Sequence, residues 1–302
     1  MNGFLVEFAR CRELVGMALQ EDLGGEPSCE PLPWGDVTTS LLIPEDTLGR
    51  AVLVARQPGI LAGLEAVGLV CEQATRGVGS LKFEPLLEDG AELKAGSRLA
   101  VLSGLMHFIL PVERTALNFV QHLSGIATMT RRYVEAVAGL STQILDTRKT
   151  TPGWRILEKY AVRCGGGHNH RFGLHDAILI KDNHLAALSG ESFVSIIRRA
   201  RQGMGFGSAV KFVELEVDTL AQLDEALPAE PDIVLLDNMA LGQMREAVRR
   251  RNAIAPGVLL EASGGVTLET VRAIAETGVD RISVGALTHS APALDIGLDF
   301  VT

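Results

Sequence analysis

The chain has 302 residues, 47% hydrophobic and 22% charged, with a mean hydropathy of +0.21, which suits one large globular domain or two modest ones. A formal net charge of −9 argues against nucleic acid and membrane surfaces as partners, and no apolar run approaches the roughly 20 residues of a membrane span. Cys11, Cys29, Cys71 and Cys164 are scattered without a Cys-x-x-Cys spacing, and the acid-bearing N-terminus lacks the pattern of a secretion signal, so a reducing, cytoplasmic setting is expected.

In chain order, residues 5–20 read as an amphipathic helix, followed by an irregular Pro-rich loop, GGEPSCEPLPWGDVTT. RAVLVARQPGILAG reads as two short strands around Pro58 and Gly59, and residues 63–76 read as a helix. FEPLLEDGAELKAGSRLAVLSG reads as short strands separated by Asp-Gly and Ala-Gly turns. Strands beside a helix suggest a small α+β domain. The last segment has the turn pattern of a biotinyl or lipoyl carrier but not the exposed lysine such a carrier modifies, which sets that reading aside.

From Glu113 the texture changes. ERTALNFVQHLSGIATMTRRYVEAVAG is helical, with Leu117, Val120 and Leu123 on a shared face. Apolar runs then alternate with helical patterns. The strands are TQILD, AILIK, FVELEV, DIVLLD, VLLEA and RISVG, with helices near 155–163, 191–203, 219–227, 240–252 and 267–277. Apolar strands alternating with helices pair in parallel under helical cover. No Gly-rich dinucleotide fingerprint accompanies them, so a closed but short β/α barrel is expected, an eight-unit barrel needing about 200 residues or more.

Polar residues collect where these strands end. Thr147, Arg148 and Lys149 follow the first, Lys181, Asp182 and Asn183 the second, and Glu214, Glu216 and Asp218 lie along the third. Asp237 and Asn238 end the fourth, Glu261 and Ser263-Gly264-Gly265 the fifth, and Gly285 the sixth. In a β/α barrel those ends surround one mouth, where active sites are built. Alternation puts Glu214, Glu216 and Asp218 on one side of their strand and Val213, Leu215 and Val217 on the other. The acids then face the barrel interior and need cations, either as a structural ion-pair network or, for Glu216 with Asp237, to bind Mg²⁺ or sugar hydroxyls. Ser263-Gly264-Gly265 before a helix near Thr267 suits a phosphate.

CGGGHNHRFGLHD holds His168, His170, Arg171 and His175. With no cysteine partner in pattern, zinc is disfavoured against imidazole and guanidinium donors aimed at a carboxylate. His107, His122, His184 and His289 read as packed or surface residues. The adjacent cations Arg148 and Lys149, joined by Arg171 and Lys181 and opposed by Glu216 and Asp237, fit a ligand that brings several negative charges.

ERTALN, DTRKTTPG, GGGHNHR, LIKDNH, ELEVD, LLDN, EASGG and SVGALTH follow the order seen in the quinolinate phosphoribosyltransferase family, and the chain resembles it from EDLGG…GDVTT to the C-terminus. A related family associated with molybdenum-transport operons departs at KDNH, which this chain keeps. The resemblance implies an N-terminal α/β sandwich (1–117, rejoined by 289–302) that caps the neighbour's active site in a homodimer, and a short α/β barrel (118–288). It implies quinolinate and phosphoribosyl pyrophosphate as substrates, decarboxylation, and Mg²⁺. Matched by motif, Arg148, Lys149, His170, Arg171 and Lys181 would bind the two carboxylates of quinolinate, with Arg114 from the other subunit. Glu216 and Asp237 would hold the ribose hydroxyls and Mg²⁺, with Lys149, Glu216 and Asp237 the catalytic set. Ser263, Gly264, Gly265 and Gly285 would bind the 5′-phosphate. Two features depart from the pattern: a loop over residues 24–35 that includes Cys29 and Trp34, and His168, where a lysine or another residue is common. The rival readings are a phosphoribosyltransferase for another base and a non-catalytic anion-binding barrel.

Overall fold

The computed structural model describes residues 11–24, 35–75, 79, 81–188, 190–203 and 210–301. Most of the loop over 24–35, with Cys29 and Trp34, and the first turns of the helix expected over 5–20 lie outside the described residues. The chain divides into two compact units, Met1–Arg131 with Thr151–Gly166 and Ser290–Thr302, and Arg132–Thr150 with Gly167–His289. The first unit thus takes in residues 118–131 and 151–166, which the sequence reading assigned to the barrel.

In the first unit the described helix Arg12–Leu23 buries Val15, Leu19 and Leu23, a stripe at four-residue spacing. The Asp36 carboxylate caps the short helix Val37–Leu42 by accepting the Thr39 N–H at 2.9 Å. Then come β1 (Leu48–Ala55), β2 (Gly59–Ile60), the helix Leu64–Ala74, β3 (Lys82–Pro85), β4 (Glu92–Leu93) and β5 (Arg98–Leu105).

The helix Met106–Ala136 follows at once and contains Pro111. Phe119, Val120, Leu123 and Ile126 are among its buried residues. The helix Arg155–Cys164 belongs to this unit: Trp154 stacks on Phe119 with ring centroids 4.7 Å apart, and His122 Nε2 lies 2.9 Å from the buried Glu158. Glu158 also accepts the Thr151 N–H at 3.1 Å, which ties down the chain just beyond the Arg148-Lys149 pair.

The second unit holds β6 (Gln143–Leu145), β7 (Ile178–Ile180), β8 (Val213–Val217), β9 (Ile233–Asp237), β10 (Leu259–Ser263) and β11 (Arg281–Ser283). They form one parallel sheet in the order β6-β11-β10-β9-β8-β7, and Leu145 makes a further parallel bridge to His168 on the free side of β6. The helices Phe193–Gly203, Leu220–Ala226, Leu241–Ile254 and Val271–Ala275 alternate with these strands, giving the short barrel-like α/β architecture that the strand–helix alternation predicts. The chain then returns to the first unit as β12 (Ile296–Phe300), which completes an antiparallel sheet ordered β12-β1-β5-β3 beside the pair β2-β4. All six parallel strands run the same way, so their carboxyl ends share one side of the sheet.

Candidate active site

Several functional side chains are held by a neighbour one strand away. Beyond β6, Asp146 is fully buried; its carboxylate accepts the His170 N–H at 2.9 Å and a hydrogen bond from the Asn169 side-chain amide. That pins the 168–171 segment against the strand that delivers Arg148 and Lys149. Lys149 is exposed; its N–H donates to Thr147 Oγ1 at 3.0 Å and its carbonyl accepts the Thr288 hydroxyl at 2.7 Å. A Cβ added at Gly285 would stand 3.0 Å from Lys149 Cδ, so the β11 turn and this lysine touch.

Arg171 is only 8% exposed. Burial and the neighbouring Arg148 guanidinium push its pKa below the usual value, against the attraction of Glu214, Asp176 and Glu216. The two arginines therefore lie within electrostatic reach of one another. Asp176 shapes the turn after Arg171 by accepting the Phe172 and Gly173 N–H groups at 2.8 and 2.9 Å, with Lys211 at 3.3 Å. Burial pushes this carboxyl up, but those donors outweigh it and hold its pKa at about 2.

Lys181, at the end of β7, forms an ion pair with Glu216 on β8. His184 caps the short helix Asp182–Ala187, its Nδ1 accepting the Lys181 N–H at 3.0 Å, which accounts for a histidine that the sequence leaves without a role. Asp237 ends β9 and accepts from Asn238 Nδ2 at 2.8 Å. Asn238 adopts φ +51°, and its N–H donates to Ser263 O at 2.9 Å. Gly264, at φ +96°, packs so closely on that asparagine that a Cβ would lie 2.1 Å from Oδ1. Gly265 follows at φ +61°. The helix expected from Thr267 begins only at Val271, so it is the open glycine backbone that faces the mouth's edge.

Beneath these groups lies a buried cluster that the sequence reading only partly saw. His170 Nε2 stands 3.0 Å from Glu214 Oε2 and 3.4 Å from Glu261 Oε1, and Arg281 Nε lies 3.1 Å from Glu261 Oε2. Burial and the neighbouring Glu261 raise the Glu214 carboxyl. Glu261 is held low although burial opposes it, because His170, Arg281 and Ser283 favour its ionised form. Burial lowers the imidazole, but the two carboxylates draw it up to about 9. The Arg171 N–H donates to His170 Nδ1 at 2.7 Å, so that nitrogen acts as an acceptor in this cluster.

The same hydrogen bond argues against a metal at His170, Glu214 and Glu261, although their ligand atoms lie within 4.8 Å of one another. With Nδ1 accepting, a neutral ring carries its hydrogen on Nε2, which stands 3.0 Å from the Glu214 carboxylate. The sequence reading turns His170 toward a substrate carboxylate; here both ring nitrogens are engaged by protein groups. Glu261 and Arg281 escaped notice as a pair, although an arginine inside the apolar run RISVG needs a buried anion.

The remaining expected residues are scattered. Asp218 is exposed, its N–H donating to Gln222 Oε1 at 2.7 Å, so it marks the start of a helix rather than the barrel interior. His168 contributes backbone to the Leu145 bridge and its side chain is exposed. Arg114 is exposed on the helix Met106–Ala136, in the first unit. A cavity of about 1080 Å³ also opens within the first unit, but its lining includes Glu65, Glu72, Glu88 and Asp89 against Arg163 alone, the wrong balance for an anionic substrate.

A parallel α/β sheet with arginines, lysines and paired acids at its carboxyl ends defines an anion-handling catalytic barrel. The N- and C-terminal domains of quinolinate phosphoribosyl transferase match residues 36–124 and 126–299. The nicotinate-nucleotide pyrophosphorylase [carboxylating] of Mycobacterium leprae is 46% identical over 295 residues, covering 97% of this chain and 98% of the relative. The probable enzyme of the same name from Bacillus subtilis is 42% identical over 270 residues, covering 89% of each. The solved nicotinate-nucleotide pyrophosphorylase of Francisella tularensis superposes with a TM-score of 0.85 at 38% identity, covering 97% of this chain and 96% of that one. The chain belongs to the quinolinate phosphoribosyltransferase family.

Proposed function

We infer that this chain transfers the phosphoribosyl group of phosphoribosyl pyrophosphate to the nitrogen of quinolinate and releases CO₂, giving nicotinate mononucleotide and pyrophosphate, a step of NAD biosynthesis. The observation that carries the reading is the Lys181–Glu216 ion pair, with Arg171 within electrostatic reach of both Glu216 and Arg148. It joins a cation suited to a pyridine carboxylate to an acid suited to a ribose, so the two reactants would meet where those side chains meet.

Arg148, Lys149, Arg171 and Lys181 supply the charge for two carboxylates, and their positions beyond β6, before β7 and at the end of β7 fix the direction of the ring nitrogen. The nitrogen lone pair attacks ribose C1, and the electrons of the C1–oxygen bond leave with pyrophosphate. Glu216 and Asp237 face the ribose and favour the positive charge that develops on it. Loss of CO₂ then leaves an electron pair at ring C2, adjacent to the now positive nitrogen, and a proton takes its place. Ser263, Gly264, Gly265 and Gly285 would receive the 5′-phosphate through backbone N–H groups, which at the three glycines carry no Cβ beside them.

Glu216 and Asp237 offer only carboxylate oxygens, the donor set of a hard cation, so they would hold Mg²⁺. Bound there, Mg²⁺ would offset the charge of the departing pyrophosphate. In this reading the protein is a cytoplasmic homodimer in which the first domain, 1–117 with 289–302, presents Arg114 to the neighbour's mouth. The exposure of Arg114 on a helix whose other face is buried supports that role. Incubation with quinolinate, phosphoribosyl pyrophosphate and Mg²⁺ tests the reaction: quinolinate-dependent CO₂ release is expected, and turnover with another base alone would overturn it.

A further inference from the structure

We propose that Glu214 is a positioning residue for the base-binding half of the site, holding the His170 ring proton on Nε2 so that Nδ1 can fix the Arg171 backbone at the mouth. The inference rests on the reading of Arg171 as a quinolinate-binding group. Its geometry does not.

His170 is a buried hinge between two strands. Its own N–H is taken by Asp146 Oδ1 at 2.9 Å, and its Nδ1 accepts the N–H of the very next residue, Arg171, at 2.7 Å. A neutral imidazole carries one proton, and a nitrogen that accepts an N–H cannot also bear it. The proton must then sit on Nε2, which needs an acceptor. Glu214 Oε2 is the nearer carboxylate oxygen at 3.0 Å. Glu261 Oε1 is at 3.4 Å, and its carboxylate also faces Arg281. Phe212 closes the space around the ring, lying edge-on to His170 with centroids 5.6 Å apart and beneath the Arg281 guanidinium at 5.6 Å.

The consequence reaches the mouth through one peptide unit. Without Glu214, Nε2 faces only Glu261 Oε1 at 3.4 Å, so the preference for the Nε2–H form weakens and the ring can take its proton on Nδ1, where it would confront the Arg171 N–H. The Arg171 backbone would then lose its buried partner and the guanidinium its fixed origin. The chain of contacts runs from Glu214 through His170 to the Arg171 backbone, so the effect is expected on the base rather than on the sugar phosphate. Glu214 acts on the substrate only through His170 and Arg171.

Two replacements separate this from a merely structural acid. Glu214→Gln keeps an oxygen that can accept from Nε2, whereas Glu214→Leu fills a similar volume with no acceptor. In the Leu variant the KM for quinolinate should rise about tenfold or more, the scale at which residues behind a ligating histidine act. The KM for phosphoribosyl pyrophosphate should stay close to that of the wild-type protein, and Glu214→Gln should recover the quinolinate KM. Nitrogen-15 NMR of the histidine-labelled wild-type protein reads the tautomer with neither substrate nor variant: His170 protonated at Nε2 is the expected result. A wild-type signal from the Nδ1–H form overturns the proposal, whether or not quinolinate is turned over and whether or not the variants fold. So does a Glu214→Leu protein with an unchanged quinolinate KM, or one in which both KM values rise together.

Discussion

Arg148 and Lys149 are neighbours in sequence, yet the structure gives them different surroundings. Arg148 is half-buried within reach of Arg171, while Lys149 is exposed beside Gly285 and tied by its carbonyl to Thr288. Lys149→Ala removes a cation without emptying a core, so kcat/KM for quinolinate should fall roughly 10- to 100-fold, or about 1.4–2.7 kcal/mol. Steady-state kinetics that match the wild-type protein would remove Lys149 from the site. Asp176 makes a prediction about pH. Its folded carboxyl sits at about 2 against an ordinary value of 3.8, so it binds its proton less readily folded than unfolded. The stability it contributes is present above about pH 4 and is lost as the pH falls toward 2, with a full value of about 2 kcal/mol. Asp176→Asn should therefore be less stable than the wild-type protein near neutrality, by urea unfolding, with the gap narrowing below pH 4. A gap that ignores pH would contradict this account of the turn after Arg171.

At the scale of elements, the helix Met106–Ala136 and the returning segment before β12 fit without slack. Leu294 N–H donates to Gln121 O at 2.9 Å, and a Cβ on Gly125 would stand 2.1 Å from Pro292 O. Alanine normally favours a helix over glycine by about 1 kcal/mol. Here that gain is outweighed by a backbone clash costing roughly 1–3 kcal/mol, so Gly125→Ala should lower the thermal midpoint. A higher midpoint would show that Pro292 does not lie there. The six parallel strands and most of their helices were legible because apolar runs and helical periods alternate plainly. The start of the long helix was not: Pro111 reads as a breaker, yet it sits near the helix start, where few intrahelical N–H bonds are at stake. The short helix Asp182–Ala187 hid in LIKDNH because its cap is a histidine ring. The polar strand ends showed where the mouth lies, but the pairing of Glu261 with Arg281 and the turning inward of His170 depend on three-dimensional neighbours that alternation along single strands does not reveal.

At the scale of the whole molecule, an acidic chain gathers cations at one place. Helix 155–164 shows why the unit boundary was hard to read: its buried residues would serve any apolar core, while Trp154 against Phe119, Glu158 against His122 and the Tyr160 hydroxyl donating to Asp89 at 2.7 Å tie it to the first unit. In the homodimer we propose, Arg114 and Lys149 of one mouth come from different chains. Mixed dimers of Arg114→Ala with Lys149→Ala subunits then contain one mouth with both residues intact and should recover activity above that of either parent. No recovery in verified heterodimers would rule out shared mouths. The central claim is that cations and acids from separate strands make one opening for a doubly charged pyridine beside an activated sugar phosphate. A crystal structure of the protein with quinolinate tests it most directly. The ring carboxylates should lie against Arg148, Arg171 and Lys181, with the nitrogen facing Glu216 and Asp237; quinolinate bound elsewhere, or with its nitrogen turned from those acids, would contradict the account.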